Sequence, residues 1–320
     1  MKVTTLPLNT TFGISAPDRV TVLGYEPNDS AFIPSKDENY VFRPEFIREI
    51  TAFLKAPHGD AMWITGPTGS GKTSGVTEVC ARLNWPVQQI TAHGRIEMGD
   101  LIGHHSLVSP APGATPVMVF MYGPLATAMK DGHVLLINEI DLADPAEISG
   151  LNDVLEGRPL VISQNGGEVI KPHPMFRVIV TGNSTGSGDQ SGLYQGIMMQ
   201  NIAALDRYRF TQVGYADTAV EISILERATP TLPESTREGM VKLANSIRNL
   251  FTGENGDDGQ LSVTMSTRNL VRWARLTLQF RGAPNALHYA LDQALLYRTS
   301  KEEGEAILRL AKDVFGDQWR

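Results

Sequence analysis

The segment Gly66-Pro67-Thr68-Gly69-Ser70-Gly71-Lys72-Thr73 constrains this chain more than any other. Its spacing is G-x-x-x-x-G-K-[ST]. In that pattern the glycines let the backbone wrap a phosphate chain with its N–H groups turned inward, and the helix that follows adds positive potential. Such a loop works between a strand and a helix. Both flanks are present: 61–65 (AMWIT) reads as a short buried strand and 72–83 as an amphipathic helix. A chance glycine-rich turn is the alternative, and it leaves that context unexplained. The expected phosphate-binding residues are therefore Gly66, Pro67, Thr68, Gly69, Ser70, Gly71, Lys72, Thr73 and Ser74. Lys72 reaches the β- and γ-phosphates of a nucleotide, and the Thr73 hydroxyl ligates Mg2+.

The rest of the chain supplies matching architecture. Strands are expected at 87–91, 134–137, 177–181 and 208–213, with helices between them, and this alternation predicts a parallel three-layer α/β sheet. Residues 46–54 carry a short helical pattern, and Asp144-Pro145 offers an N-cap and an N1 proline for a helix bearing Ile148, Leu151 and Leu155. After 229–233 (TPTLP) the pattern becomes helical, at 235–250, 266–280, 284–297 and 302–314, with a Gly/Asp-rich loop at 253–259. The 320 residues thus divide into an N-terminal extension (1–43), an α/β nucleotide-binding domain (44–230) and a small helical lid (231–320).

Composition excludes several classes. Charged residues are 20% and hydrophobic ones 42%, the balance of a soluble globular chain. The net charge of −7 argues against a nucleic-acid partner. One cysteine, Cys80, rules out an internal disulfide and a Cys-built zinc site. The start lacks the apolar run of a secretory signal, so a cytoplasmic location is expected. From Leu101 to Met129 no Asp, Glu, Lys or Arg occurs, yet four prolines interrupt the stretch. We read it as loop and strand and not as a membrane span. His104-His105 lacks a third metal ligand at suitable spacing.

Four further positions carry chemistry. The strand 134–137 ends in Asn138-Glu139, where Glu139 can accept the proton of an attacking water. Asn138 stands where an acidic residue usually supports the metal shell, and its amide oxygen can accept from a metal-bound water without adding charge. Asp141 is a candidate to compensate, and a nucleotide-binding module that hardly hydrolyses stays open. Asn183, after the strand 177–181, can orient the water, or can be a turn residue. The polar, five-glycine loop 182–196 is expected to be mobile. Arg207 and Arg268 are candidates to neutralise γ-phosphate charge, against the alternative of surface ion pairs. Arg272 and Arg275 continue one face of the Arg268 helix as a solvated stripe.

Taken together these residues resemble the AAA+ ATPases, and within them the MoxR group and its CobS-type members. Gly66–Thr73 matches Walker A, Asn138-Glu139 occupies Walker B, Asn183 matches sensor 1, Arg207 the arginine finger and Arg268 sensor 2. The resemblance also runs through 81–86 (ARLNWP), 100–103 (DLIG), 172–177 (PHPMFR), 188–194 (GDQSGLY) and 12–14 (FGI). It implies ATP and Mg2+ as ligands and a homo-oligomeric, hexameric ring whose finger acts in trans. It also implies a partner bearing a von Willebrand factor A domain, remodelled at the cost of ATP. A large chelatase subunit is the alternative partner, in cobalt insertion into a corrin ring. The insert 94–121 resembles the group's helix-2 insertion, and 160–164 and 167–171 around Asn165-Gly166 correspond to the hairpin before sensor 1. The chain departs from the CobS pattern at Asn138, where Asp is expected, and at Thr267, where Pro is expected in Ser-Pro-Arg.

Overall fold

The computed structural model describes residues 1–188, 196–252 and 261–319. Most of the glycine-rich loop after Asn183 (189–195) and the loop expected at 253–259 lie outside the described residues. Two compact units are present: Met1–Lys36 with Pro44–Gly66 and Lys72–Val213, and Asp37–Arg43 with Pro67–Gly71 and Gly214–Arg320.

The first unit begins with β1 (Val3–Pro7), α1 (Leu8–Phe12), β2 (Thr21–Tyr25), α2 (Pro44–Lys55), β3 (Ala61–Thr65), α3 (Lys72–Arg82) and β4 (Val87–Thr91). An insert follows, of α4 (Met98–Ile102), β5 (Gly103–Val108) and β6 (Val117–Tyr122), and then α5 (Pro124–Asp131) and β7 (Val134–Asn138). The unit closes with α6 (Leu151–Leu155), β8 (Leu160–Ile162), β9 (Glu168–Ile170), β10 (Arg177–Gly182), α7 (Ile202–Leu205) and β11 (Tyr208–Gln212). Five strands form one parallel sheet in the order β11-β3-β10-β7-β4. Its central strands are buried along their whole length, as expected of near-continuous apolar runs covered on both faces. The register pairs Gly182 with Thr65 and Val180 with Ile137, so Gly66, Asn183 and Glu139 leave the sheet at one edge. The carboxyl edge of an open parallel sheet is where ligands bind.

Several local expectations change. The polar N-terminal stretch is an ordered β1–β2 hairpin. Tyr25 anchors it, its N–H donating to the Leu83 carbonyl (2.9 Å) and its hydroxyl to that of Gly132 (3.0 Å), with its ring edge-on to Trp85. A few buried side chains do this docking, so no periodicity announced it. The helix expected from Pro145 starts only at Leu151. Asp144 Oδ1 accepts the Ala146 N–H and Ser149 Oγ donates to the Ala146 carbonyl, side-chain bonds that compete with helix. The β8–β9 hairpin is present, but its turn runs through Ser163–Asn165 with Gly166 and Gly167 both at positive φ, wider than a two-residue Asn-Gly turn. The charge-free stretch resolves into the β5–β6 ribbon and α5. Among the described residues no helix is long and apolar enough to cross a membrane.

The second unit holds α8 (Thr218–Ala228), α9 (Glu234–Thr252), α10 (Thr267–Gln279), α11 (Ala286–Ala294) and α12 (Lys301–Phe315). Leu225 of α8 shares a buried cluster with Met240, Ile247, Leu270, Trp273 and Ile307. The division after Val213, where the sequence reading places the seam at 230, follows from this: the Thr229-Pro230 break comes after the first helix of the unit and not before it.

Candidate nucleotide site

The loop after β3 is shaped by close backbone approach. Gly66 has φ +148°, and a Cβ there would lie 2.1 Å from the Val213 carbonyl oxygen, so no larger residue fits. Lys72 opens α3, its Nζ donating to the Gly66 carbonyl (2.6 Å) and to Asn183 Oδ1 (3.0 Å). Thr73 Oγ1 donates to Asn138 Oδ1 (2.7 Å), which also accepts from Thr181 Oγ1 (3.4 Å). Two residues of the loop helix thus meet the ends of two separate strands, β10 and β7, which flank each other in the sheet. Ser74, one residue on, is exposed.

Glu139 is exposed and sits at φ 54°, ψ 42°, the left-handed region that costs a non-glycine residue about 1 kcal/mol. Its N–H donates to Thr181 Oγ1 (3.3 Å), which helps hold that conformation. Asp141 is 0% exposed. Its Oδ2 accepts the N–H groups of Asn183 (2.7 Å) and Ser184 (2.9 Å) and the Ser184 hydroxyl (3.2 Å). The carboxylate weighed as a substitute for Asn138 is therefore committed to the turn that carries Asn183. Charge-assisted bonds to two successive N–H groups make that turn rigid.

Arg207 precedes β11 and is engaged at home. Its Nε donates to Glu156 Oε1 (3.0 Å), its Nη2 meets the same carboxylate and its Nη1 the Ala203 carbonyl. Arg158 Nη2 bonds the other oxygen of Glu156 (2.7 Å). The bond from Arg207 holds the Glu156 carboxyl below the usual carboxylate range. Among the described residues no hydrogen bond or ion pair joins Arg207 to Lys72, Thr73, Asn138, Glu139 or Asn183.

Within the second unit, the loop centre Pro67–Gly71 has its own contacts. Tyr215 Oη donates to the Thr68 carbonyl (3.2 Å) and Arg43 Nη2 to that of Ser70 (3.0 Å). Gly69, at φ +70°, is closely approached: a Cβ would lie 2.5 Å from Ser266 Cβ. Ser70 Oγ is buried with no hydrogen-bond partner among the described residues. Arg268, second in α10, is exposed and makes no hydrogen bond or ion pair with the described residues.

The donor sets suit the expected ligands. The buried, partnerless Ser70 hydroxyl of the second unit is of the kind an anionic phosphate satisfies, and in the first unit Lys72 brings positive charge to a helix N-terminus. Thr73 Oγ1 and Asn138 Oδ1 are oxygen donors, the type magnesium takes while keeping several waters. Neither carries charge, so a magnesium ion held there would take its anionic ligands from bound phosphates. Elsewhere, no group of three or more His, Cys, Asp or Glu that could hold a metal occurs among the described residues. Sequence reasoning missed Thr181, Tyr215, Arg43 and Glu156. A hydroxyl at the end of an otherwise apolar strand was the one signal available for Thr181.

A parallel sheet with a phosphate loop, acidic and amide residues on neighbouring strand ends, and a C-terminal helical unit define an α/β P-loop nucleotide-binding protein with a helical lid. Known proteins carry this further. Residues 61–195 match the family described as "AAA domain (dynein-related subfamily)", and 221–314 match "CbbQ/NirQ/NorQ C-terminal". The chain is 32% identical over 278 residues to the aerobic cobaltochelatase subunit CobS of Sinorhizobium sp, covering 85% of this chain and 80% of that one. It is 30% identical over 187 residues to an uncharacterized protein of Staphylococcus haemolyticus, covering 58% of this chain and 68% of the relative. Among solved structures it is similar to a point mutant of Thermotoga maritima RuvB, with TM-score 0.49, 15% identity, and 79% and 70% of the two chains covered. The chain belongs to the MoxR/CobS-like AAA+ ATPases.

Proposed function

We propose that this protein is a ring-forming ATPase of the cytoplasm that couples ATP hydrolysis to remodelling or activating a partner protein. The observation that carries the reading is the pair of bonds Lys72–Asn183 and Thr73–Asn138 at the sheet edge from which Glu139 emerges. Lys72 binds the β- and γ-phosphates, and Thr73 and Asn138 would hold a magnesium ion. A magnesium ion held by these residues would supply charge neutralisation for the phosphates. Asn183 positions a water against the γ-phosphorus. Glu139 takes that water's proton as the new P–O bond forms and the bridging P–O bond breaks, leaving ADP and phosphate. Arg268 meets the γ-phosphate of its own subunit. Arg207 exchanges Glu156 for the γ-phosphate of a neighbouring subunit, so a hexameric ring is the active form. The partner carries a von Willebrand factor A domain, whose metal-dependent adhesion site the motor engages.

The test is ATPase rate per subunit against protein concentration. A fall on dilution to monomer is expected, and a rate unchanged down to demonstrated monomer overturns the ring. Arg207→Ala should lower turnover with ATP binding retained; lost binding would make its role structural.

Two other readings each have an observation behind them. Identity to CobS supports a chelatase ATPase subunit. Cobalt insertion into a corrin ring by a large chelatase subunit, dependent on this chain, decides that. The neutral Asn138 supports a nucleotide-gated scaffold with weak turnover. A large rise in rate in Asn138→Asp supports it, and robust wild-type turnover excludes it.

A further inference from the structure

The start of α10, which presents Arg268, is gripped by a buried ion pair belonging to two other helices. Glu221 of α8 is 0% exposed and Arg248 of α9 is 5% exposed. Their fork is bidentate, Nη1 to Oε2 and Nη2 to Oε1, both at 2.7 Å. Of the pair's remaining side-chain bonds, one stays within α9, from Arg248 Nη1 to Asn245 Oδ1 (2.9 Å), and two go to one short segment. Arg248 Nε donates to the Met265 carbonyl (2.7 Å), and Thr267 Oγ1 donates to Glu221 Oε1 (2.7 Å). The residues on either side of Ser266 are thereby held, and Ser266 itself caps the helix by accepting the Asn269 N–H (3.2 Å). The Tyr215 ring packs 4.2 Å from the Arg248 guanidinium, and its hydroxyl bonds the Thr68 carbonyl of the phosphate loop.

A buried ion pair is a poor device for stability alone, since well-packed apolar residues serve as well or better. This one differs from a filler in where two of its spare hydrogen bonds go, to the backbone and hydroxyl that begin α10, and in the Tyr215 ring that packs on it and bonds the phosphate loop. Thr267 is the first residue of α10, the position at which proline is favoured because its φ is pre-set for the helix. Here a hydroxyl tied to a rigid carboxylate takes over that orienting role, one residue before Arg268.

We propose that Glu221 and Arg248, acting through the Thr267 hydroxyl, are positioning residues that aim Arg268 at the γ-phosphate. This rests on the reading above that Arg268 meets that phosphate. The first turn of a helix rotates as a unit, so a tether on Thr267 sets the direction in which the next side chain leaves. The Tyr215 contact keeps the loop and the arginine in one register.

The test uses the full chain and the ratio of ATP to ADP affinity, measured by calorimetry with magnesium present, for wild type, Thr267→Val, Thr267→Pro, Arg268→Ala and Thr267→Val/Arg268→Ala. Valine puts a methyl of similar size in place of the hydroxyl, and thermal unfolding of each variant checks that the fold is retained. Arg268→Ala should lower the ratio, since only ATP carries the γ-phosphate. Thr267→Val should lower it about fivefold, the size of one hydrogen bond, in wild type and not at all in the Arg268→Ala background. Thr267→Pro, which restores a fixed φ without a hydroxyl, should recover most of the loss. A ratio lowered by Arg268→Ala but unchanged in Thr267→Val overturns the inference alone. An equal effect of Thr267→Val in both backgrounds does the same, because the hydroxyl would then act without Arg268. An unchanged ratio in Arg268→Ala overturns the reading of Arg268 and the inference with it.

Discussion

The sheet edge and the start of α10 treat charge in opposite ways. At the sheet edge the groups proposed for chemistry are tied to one another: Lys72 to Asn183, Thr73 to Asn138, and Asn183 through its backbone to Asp141. Scaffold and site are there largely the same residues. At α10 they are separate. The buried charges, Glu221 and Arg248, are fully paired, while Arg268 stands exposed with no partner among the described residues. Damage to the scaffold should therefore alter chemistry directly at the sheet edge, and at α10 should cost stability and reach the nucleotide only through Arg268.

The sharpest way to break that contrast is Glu139→Gln. It removes the proton acceptor without changing volume, and turnover should fall about 10²–10⁴-fold with ATP binding kept. Lost binding would show that Glu139 supports the loop instead. Next in size is Glu221→Ala, which strands the buried Arg248 guanidinium and should cost about 3–5 kcal/mol in urea unfolding. A loss below about 1 kcal/mol would mean that the helical unit tolerates an unpaired buried charge, and the contrast would fail from that side.

Asp141→Ala should follow. It leaves the Asn183 and Ser184 N–H groups unpaired, at about 1–3 kcal/mol for each donor. It should also lower turnover directly, because the turn it releases carries Asn183, whereas Glu221→Ala reaches the nucleotide only through Arg268. Wild-type turnover in a folded Asp141→Ala protein would separate scaffold from site at the sheet edge too.

The smallest effect is a pH dependence confined to the helical unit. The Glu303 carboxyl is held down to about 2, chiefly by the Ser262 N–H, and it also closes a capping box with Ser300 at the start of α12. Its folded value lies below its unfolded one. Its contribution is therefore complete above the ordinary carboxylate range, and is lost as pH falls from about 4.5 to about 2. Glu303→Gln should flatten the acid limb of a stability–pH curve across that window. An unchanged limb would show that the Glu303 carboxylate does not hold its Ser262 and Ser300 bonds in solution.

How much was legible varies with how local each feature is. The phosphate loop, the five sheet strands and four of the lid helices follow from spacing and periodicity, since buried parallel strands are apolar runs and lid helices repeat every three to four residues. Asn183 was legible as a strand-terminal amide. Asp141 was visible as a nearby acid, but its task was not, because an acid that holds a turn and an acid that helps a metal look alike in a string of letters. Helix α8 was missed because Glu221, buried by its ion pair, reads as a solvent residue. The N-terminal hairpin escaped because its anchoring rests on Tyr25 meeting Leu83 and Gly132, far along the chain.

Local chemistry alone made this chain a phosphate binder: glycines that admit an unusual backbone, a lysine opening a helix, and a hydroxyl beside it. Which groups meet there came from the strand order. Lys72 finds Asn183 across 111 residues and Thr73 finds Asn138 across 65 because β10 inserts between β3 and β7. Nothing in the periodicity of a strand states its neighbours. That choice belongs to the packing of the whole sheet, where burial of both faces and the crossover connections select one order among those the strands alone would allow.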